Sequence, residues 1–294
     1  MTVAPLRTLV RTAPAMALLA VLGLVPTAAA TTAAPAGPAG AGSPGRGVSR
    51  VVAGAVSDRS VNAAAARLTT TASAAGYAVQ RVSLPDGRSV VVRLNPCQSA
   101  VTYKVNVTAV PAGSRTAVLA EVRTAVTRLA AATGIVYRYR GTTSEVPRSA
   151  TIDRQSAELV VAVSTPRGTD VGIGGATVGM GGYHYWIWQS TSASGRTVAG
   201  AAIGRSWVVL DRDGLGRLRA GFGAGASRGN VILHELGHSV GLEHVTDRRQ
   251  LMYPSLSSAA PSGFAAGDRA GLAALGRRAG CIAVPAGVFA DLGR

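Results

Sequence analysis

Three of the four histidines in this chain fall within eleven residues, between His234 and His244. A helix turns about 100° per residue, so His234 and His238 lie on one face, about 40° apart. Leu236 and Val240 project about 200° and 240° from His234, on the opposite face. Such a helix buries its apolar face and presents two imidazoles to a cleft. The chain must therefore fold a core around this segment.

The same spacing suits a zinc site. Two histidines at i and i+4 can bind one zinc ion through ring nitrogens about 2.0–2.1 Å from the metal. Gly241 can turn the chain at the end of the helix, which lets His244 return as a third ligand. The fourth position then stays open for water, as in catalytic zinc sites. Glu235 lies beside the metal face, at about 100°, and is the predicted general base.

The stretch from His234 to His244 resembles the signature of the metzincin clan of zinc peptidases. It matches His-Glu-x-x-His-x-x-Gly-x-x-His at every fixed position, which argues against chance histidines on a solvated helix. The segment Leu251–Pro254 resembles the clan's Met-turn, whose methionine lies under the zinc ligands. Its Met-Tyr-Pro order is most similar to the matrixins, and bacterial matrixin-like secreted peptidases are the nearest group. Val245 departs from the matrixin pattern, which usually has serine there.

The resemblance implies a fold and an activity. The implied fold is α+β, with a twisted mixed sheet of about five strands, two long helices and a zinc-binding active-site helix. The implied activity is that of a zinc metalloendopeptidase, which uses one Zn²⁺ ion to hydrolyse internal peptide bonds of protein or peptide substrates. By the same resemblance, Gly241 and Met252 support the site, and Pro254 and Ser255 form a wall of the specificity pocket.

Two other functions remain open at this point. The chain could be a secreted zinc-binding surface or adhesion module that has lost hydrolysis, although the intact Glu235 argues against that reading. It could also hydrolyse cell-wall peptides. The formal net charge of +16 is compatible with an anionic cell surface. The basic residues are dispersed, and no basic cluster or aromatic-plus-basic motif predicts nucleic-acid binding. We expect a monomer.

The N-terminus predicts secretion. Arg7 and Arg11 precede an apolar run at 13–25, and small residues at 27–30 follow. This is the pattern of a secretory signal peptide over residues 1–30. The apolar run is too short to span a bilayer, and no later segment predicts a transmembrane helix. We therefore expect a secreted protein.

The remaining chain divides into three parts. Residues 31–47 are rich in Ala, Gly, Pro, Thr and Ser, which is typical of a flexible linker. Residues 48–95 could be a pro-region, an accessory unit or the first strands of the main domain. Within them, 80–94 predicts a hairpin that turns at Pro85-Asp86-Gly87. Residues 96–294 form the predicted catalytic domain. Its alternating strands and helices favour an α+β or α/β class. A helix is predicted from Ser114 to Ala132, and its periodicity places these apolar residues on one face: Val118, Val122, Val126 and Leu129.

The two cysteines, Cys97 and Cys281, bracket the globular part of the chain. In an oxidising compartment such a pair usually forms a disulfide. The alternative is a cysteine switch, in which Cys97 would occupy the open zinc position. Its neighbours do not resemble the matrixin switch sequence, so we predict the disulfide.

Three further features have lower specificity. His184 lies in an aromatic-rich stretch that predicts a packed edge strand or loop, with a substrate-contacting rim as the alternative. Asp211 and Asp213 could contribute to a calcium site, but two carboxylates without a following glutamate favour a surface turn. Asp268 is predicted to be a helix cap or a buried polar anchor.

Overall fold

The computed structural model describes residues 10–12, 50–52, 68–191, 197–256 and 258–284. The predicted linker at 31–47 lies outside these residues. The predicted signal peptide also lies outside them, apart from Val10–Thr12. In the described part of the chain, no helix has the length and apolar character needed to cross a membrane.

The described chain alternates strands with four α-helices. The strands are β1 (Val10–Thr12), β2 (Arg50–Val52), β3 (Leu68–Ala72), β4 (Ala78–Ser83), β5 (Ser89–Val91), β6 (Val101–Asn106), β7 (Tyr137–Thr142), β8 (Leu159–Ser164), β9 (Gly179–Thr191), β10 (Thr197–Asp211) and β11 (Leu242–Glu243). The helices are α1 (Arg115–Thr133), α2 (Arg212–Gly216), α3 (Arg228–Ser239) and α4 (Ala266–Leu275).

The main sheet is mixed, with the central order β9-β10-β8-β6-β7. Strand β9 runs antiparallel to β10, and the other central pairs are parallel. The three-residue strands β1 and β2 pair with β9. All six residues of β8 are buried, as expected for a parallel strand covered on both faces. This architecture confirms the predicted α+β class with five central strands.

Helices α1 and α3 pack against each other, and together with one face of the sheet they enclose the core. Val118, Val122, Val126 and Leu129 lie on the buried side of α1, which is the face that their periodicity predicted. Gly134 ends the helix with a φ of 69°, a conformation that glycine adopts at little cost.

A second, smaller sheet has the order β11-β4-β3, and β5 pairs with β4. The predicted hairpin over 80–94 is confirmed, since β4 and β5 are antiparallel and the chain turns between them. Val82 and Val92 are fully buried and belong to the same core as α1 and α3. The second sheet and the main sheet therefore share one core.

Two sequence features of lower specificity have structural roles. The Asp211 carboxylate accepts a hydrogen bond from the Gly214 N–H at 2.7 Å and caps α2. Asp213 forms an exposed ion pair with Arg212. His184 lies inside β9 and is 2% exposed, so the aromatic-rich stretch around it is a packed strand.

Cys97 and Cys281 form a disulfide across a sequence separation of 184 residues, as predicted. The Asn95 side chain reinforces this closure. Its amide donates to the Ile282 carbonyl at 3.1 Å, and its oxygen accepts from the Ile282 N–H at 3.1 Å. The chain that enters the main sheet is thus tied to the chain that leaves α4.

Replacing both cysteines with serine should lower the free energy of unfolding by about 2–5 kcal/mol, because the unfolded chain loses a long closed loop. Denaturant unfolding of the double variant and the wild type measures this difference. Intact-mass analysis after alkylation is the control. Two free thiols in the native protein would contradict the bridge.

Candidate metal centre

Helix α3 carries two of the three histidines and is held by an N-terminal cap and by its buried face. At its N-terminus the Ser227 hydroxyl accepts a hydrogen bond from the Asn230 N–H at 3.3 Å. Ile232, Leu233 and Leu236 are fully buried in the core. This packing fixes the rotation of the helix, so that His234 and His238 lie on the face turned toward the cleft.

The three predicted ligands meet at one point. The Nε2 atoms of His234 and His244 are 3.1 Å apart, those of His238 and His244 3.1 Å, and those of His234 and His238 3.2 Å. Three nitrogens bound to one zinc at about 2.0–2.1 Å in tetrahedral geometry would show similar mutual distances. Among the residues that the structure describes, this triad is the one group of three or more potential metal ligands.

The hydrogen bonds of the triad indicate that a cation belongs there. His234 Nδ1 lies 2.7 Å from the Leu251 carbonyl, and His238 Nδ1 lies 2.8 Å from the Leu242 carbonyl. A carbonyl only accepts, so both Nδ1 atoms carry the proton and both Nε2 atoms present lone pairs. These lone pairs cannot hydrogen-bond to each other. Zinc bound by three neutral imidazoles satisfies them.

Burial keeps the imidazoles neutral. It lowers the pKa of His234 and lowers that of His244 to about 4. Burial, together with repulsion from the other two imidazoles, holds the pKa of His238 well below its usual value. Neutral imidazole is the form that binds a metal.

Comparison with known families agrees with this geometry. The matrixin family model matches residues 183–275, which include the whole triad. No curated protein matches the chain. Together, the family match and the converging histidines support a metzincin-type family for this chain. The same two findings support zinc as its metal and zinc metallopeptidase as its class.

The segment predicted as a Met-turn packs against the helix that carries His234 and His238. Met252 is 1% exposed, and its sulfur packs so closely under Gly237 that a Cβ there would lie 2.6 Å from it. The buried Asp268 carboxylate accepts hydrogen bonds from the N–H groups of Leu251 and Met252, at 2.7 and 3.2 Å. Asp268 also accepts from Ala265 at the start of α4. It is thus both the helix cap and the buried anchor that the sequence predicted.

Gly241 makes the turn that brings His244 back. Its φ is 105°, in the region that favours glycine. A Cβ at this position would also lie 2.8 Å from the Val92 carbonyl oxygen. Both the turn and this close contact therefore require glycine.

Glu235 is held against the start of β9. A Cβ on Gly179 would lie 2.8 Å from Glu235 Cγ, and a Cβ on Gly181 would overlap the Glu235 carbonyl oxygen. Burial raises the pKa of Glu235 to about 8, and a hydrogen bond from the Gly181 backbone opposes this shift. Sequence reasoning missed both glycines. The signal was available, because glycine within a strand often marks close backbone approach.

A cleft of about 330 Å³ opens above the triad. Glu235 and all three histidines line it, and so do the predicted wall residues Pro254 and Ser255. Residues 179–181 at the start of β9 line it as well. The structure therefore brings together in one cleft the predicted ligands, the predicted base and the predicted wall residues.

The triad should hold one zinc ion per chain after dialysis, and elemental analysis measures this stoichiometry. Replacing both His234 and His238 with alanine should abolish the binding, because only one of the three imidazoles remains. A His184→Gln variant is the control. Neighbouring residues of a strand point to opposite faces, so His184 points away from Tyr183 and the core beneath α3. Zinc retained by the double variant would contradict the assignment.

Proposed function

We propose that this protein is a secreted zinc endopeptidase in which Glu235 is the general base. The observation that carries the proposal is the shared cleft: a buried carboxylate lies beside three converging imidazole nitrogens. Secretion is supported by the signal-peptide pattern of residues 1–30 and by the disulfide, which is typical of oxidising compartments. Monomeric state and association with anionic surfaces stay predictions.

Each residue of the site has a distinct task in this mechanism. His234, His238 and His244 would hold a zinc ion, which would supply a Lewis acid for activating water and polarising a carbonyl group. The Glu235 carboxylate accepts a proton from the attacking water and delivers it to the leaving amine. Gly181 donates a backbone hydrogen bond that orients this carboxylate.

The start of β9 offers a binding surface for an extended peptide. Gly179, Met180 and Gly181 line the cleft. They precede Gly182–His184, the residues of β9 that pair with β1. A substrate strand added here would form backbone hydrogen bonds with β9. Such pairing places an internal peptide bond, rather than a chain end, next to the triad, which favours an endopeptidase.

Replacing Glu235 with glutamine should leave zinc binding intact and lower the rate of peptide hydrolysis about 10²–10⁴-fold, because the amide cannot accept the proton. Digestion of a peptide library, with and without a chelator, measures the activity. Zinc content of the variant is the control. Unchanged hydrolysis would remove Glu235 from the mechanism. A wild-type protein that binds zinc but cleaves nothing would instead favour an adhesion module.

Replacing Gly179 with alanine should displace the Glu235 side chain and lower kcat about 10²-fold, since misplacement by about 1 Å has effects of that size. In a Glu235→Gln background the same substitution should change little further, because both act through one carboxylate. Gly113→Ala is the matched control, as a Cβ there has no neighbour within 4 Å. Additive effects of the two substitutions would refute this positioning.

A further inference from the structure

A strand from the N-terminal region pairs with the zinc motif itself. β11 (Leu242–Glu243) lies between the second and third histidines of the triad. It is antiparallel to β4, with Leu242 opposite Val79 and Glu243 opposite Ala78. The Leu242 carbonyl is also the group that fixes the protonation of His238. The backbone that orients one ligand is therefore part of this second sheet.

The alternation of hydrogen bonds shows which residue of β4 contacts β11. The Ser73 N–H donates to the Tyr77 carbonyl at 2.7 Å, so these two residues form a hydrogen-bonded pair directly after β3 and directly before β4. In an antiparallel ladder hydrogen-bonded and non-hydrogen-bonded pairs alternate, so the next pair, Ala72 and Ala78, is not hydrogen-bonded. Ala78 therefore directs its N–H and C=O away from β3 and toward Glu243. The Gln80 carbonyl, which points to the same side, accepts from the Val92 N–H at 2.9 Å.

Three more contacts tie the N-terminal region to the site. The Val92 carbonyl lies against Gly241, which makes the turn to His244. The Gly76 carbonyl packs against Gly267 in the first turn of α4, next to the Asp268 carboxylate that anchors the Met-turn. The third contact joins the region to the main sheet, because the Arg93 carbonyl accepts a hydrogen bond from the Ile203 N–H of β10 at 2.9 Å.

We propose that β4 positions the ligands His238 and His244, and that residues 78–94 consequently remain in the mature protein and are not removed on activation. Their removal would uncover Val82 and Val92, which are fully buried, and would release the backbone of β11. The proposal concerns the metal site and does not depend on hydrolysis. Of the three interpretations left open by the sequence, it favours the first strands of the main domain over a removable pro-region or a separate accessory unit.

The test compares two proline substitutions in the same small sheet. Ala78→Pro removes the N–H that faces β11. Thr70→Pro is the matched control. Thr70 is exposed and lies opposite Gln80. By the same alternation these two residues are not hydrogen-bonded to each other, so the Thr70 N–H points away from β4. Both variants retain the triad, Asp268 and the disulfide.

Zinc affinity of each full-length variant is measured by competition with a chelator. Ala78→Pro should bind zinc about 10–100-fold more weakly, the usual effect of losing a group that orients a ligand. Thr70→Pro should match the wild type. Equal affinities in the two folded variants would overturn the proposal.

Intact-mass analysis of the wild-type protein that binds zinc gives a second result, which holds even where Ala78→Pro fails to fold. The N-terminus of that species should lie upstream of Ala78. A zinc-binding species that begins after Leu94 would overturn the proposal.

Discussion

The site depends on two backbone carbonyl groups that fix the protonation of two histidines. Because the Leu251 and Leu242 carbonyls accept the Nδ1–H groups, both Nε2 lone pairs turn toward the same point. A cation is what satisfies lone pairs that converge in a buried space. One of these carbonyls belongs to the Met-turn and the other to β11. Asp268 fixes the first and β4 pairs with the second, so segments outside the histidine motif set its geometry.

Contacts at glycine allow these segments to approach α3. Gly181 lets β9 contact the backbone of Glu235, Gly237 accommodates the sulfur of Met252, and Gly241 contacts the Val92 carbonyl. A side chain at any of these positions would separate the helix from its neighbour. The core is built largely from valine, leucine and alanine, and these side chains leave elements close enough for such contacts to form. Tight packing and site geometry are thus consequences of the same small residues.

Local patterns predicted much of this protein. The histidine spacing identified the triad, the periodicity of Val118 and Val122 identified the buried face of α1, and the Pro85-Asp86-Gly87 turn identified the hairpin. The full length of β9 and β10 was not predicted, because residues 179–182 and 199–202 are glycine and alanine for the most part and have weak strand propensity. The pairing of β4 with β11 joins distant parts of the chain. No local signal can indicate it.

The position of Glu235 agrees with its proposed role as a base that does not bind the metal. The helix places it to the side of the two histidines, and the contact with Gly179 and Gly181 holds it there. Burial raises its pKa to about 8 despite the opposing hydrogen bond from Gly181, which favours the protonated acid at neutral pH. A cation at the triad acts in the opposite direction, because a nearby positive charge stabilises the carboxylate. In the proposed mechanism, metal binding and ionisation of Glu235 would therefore be linked, because an ion held by the triad would favour the carboxylate form that acts as a base.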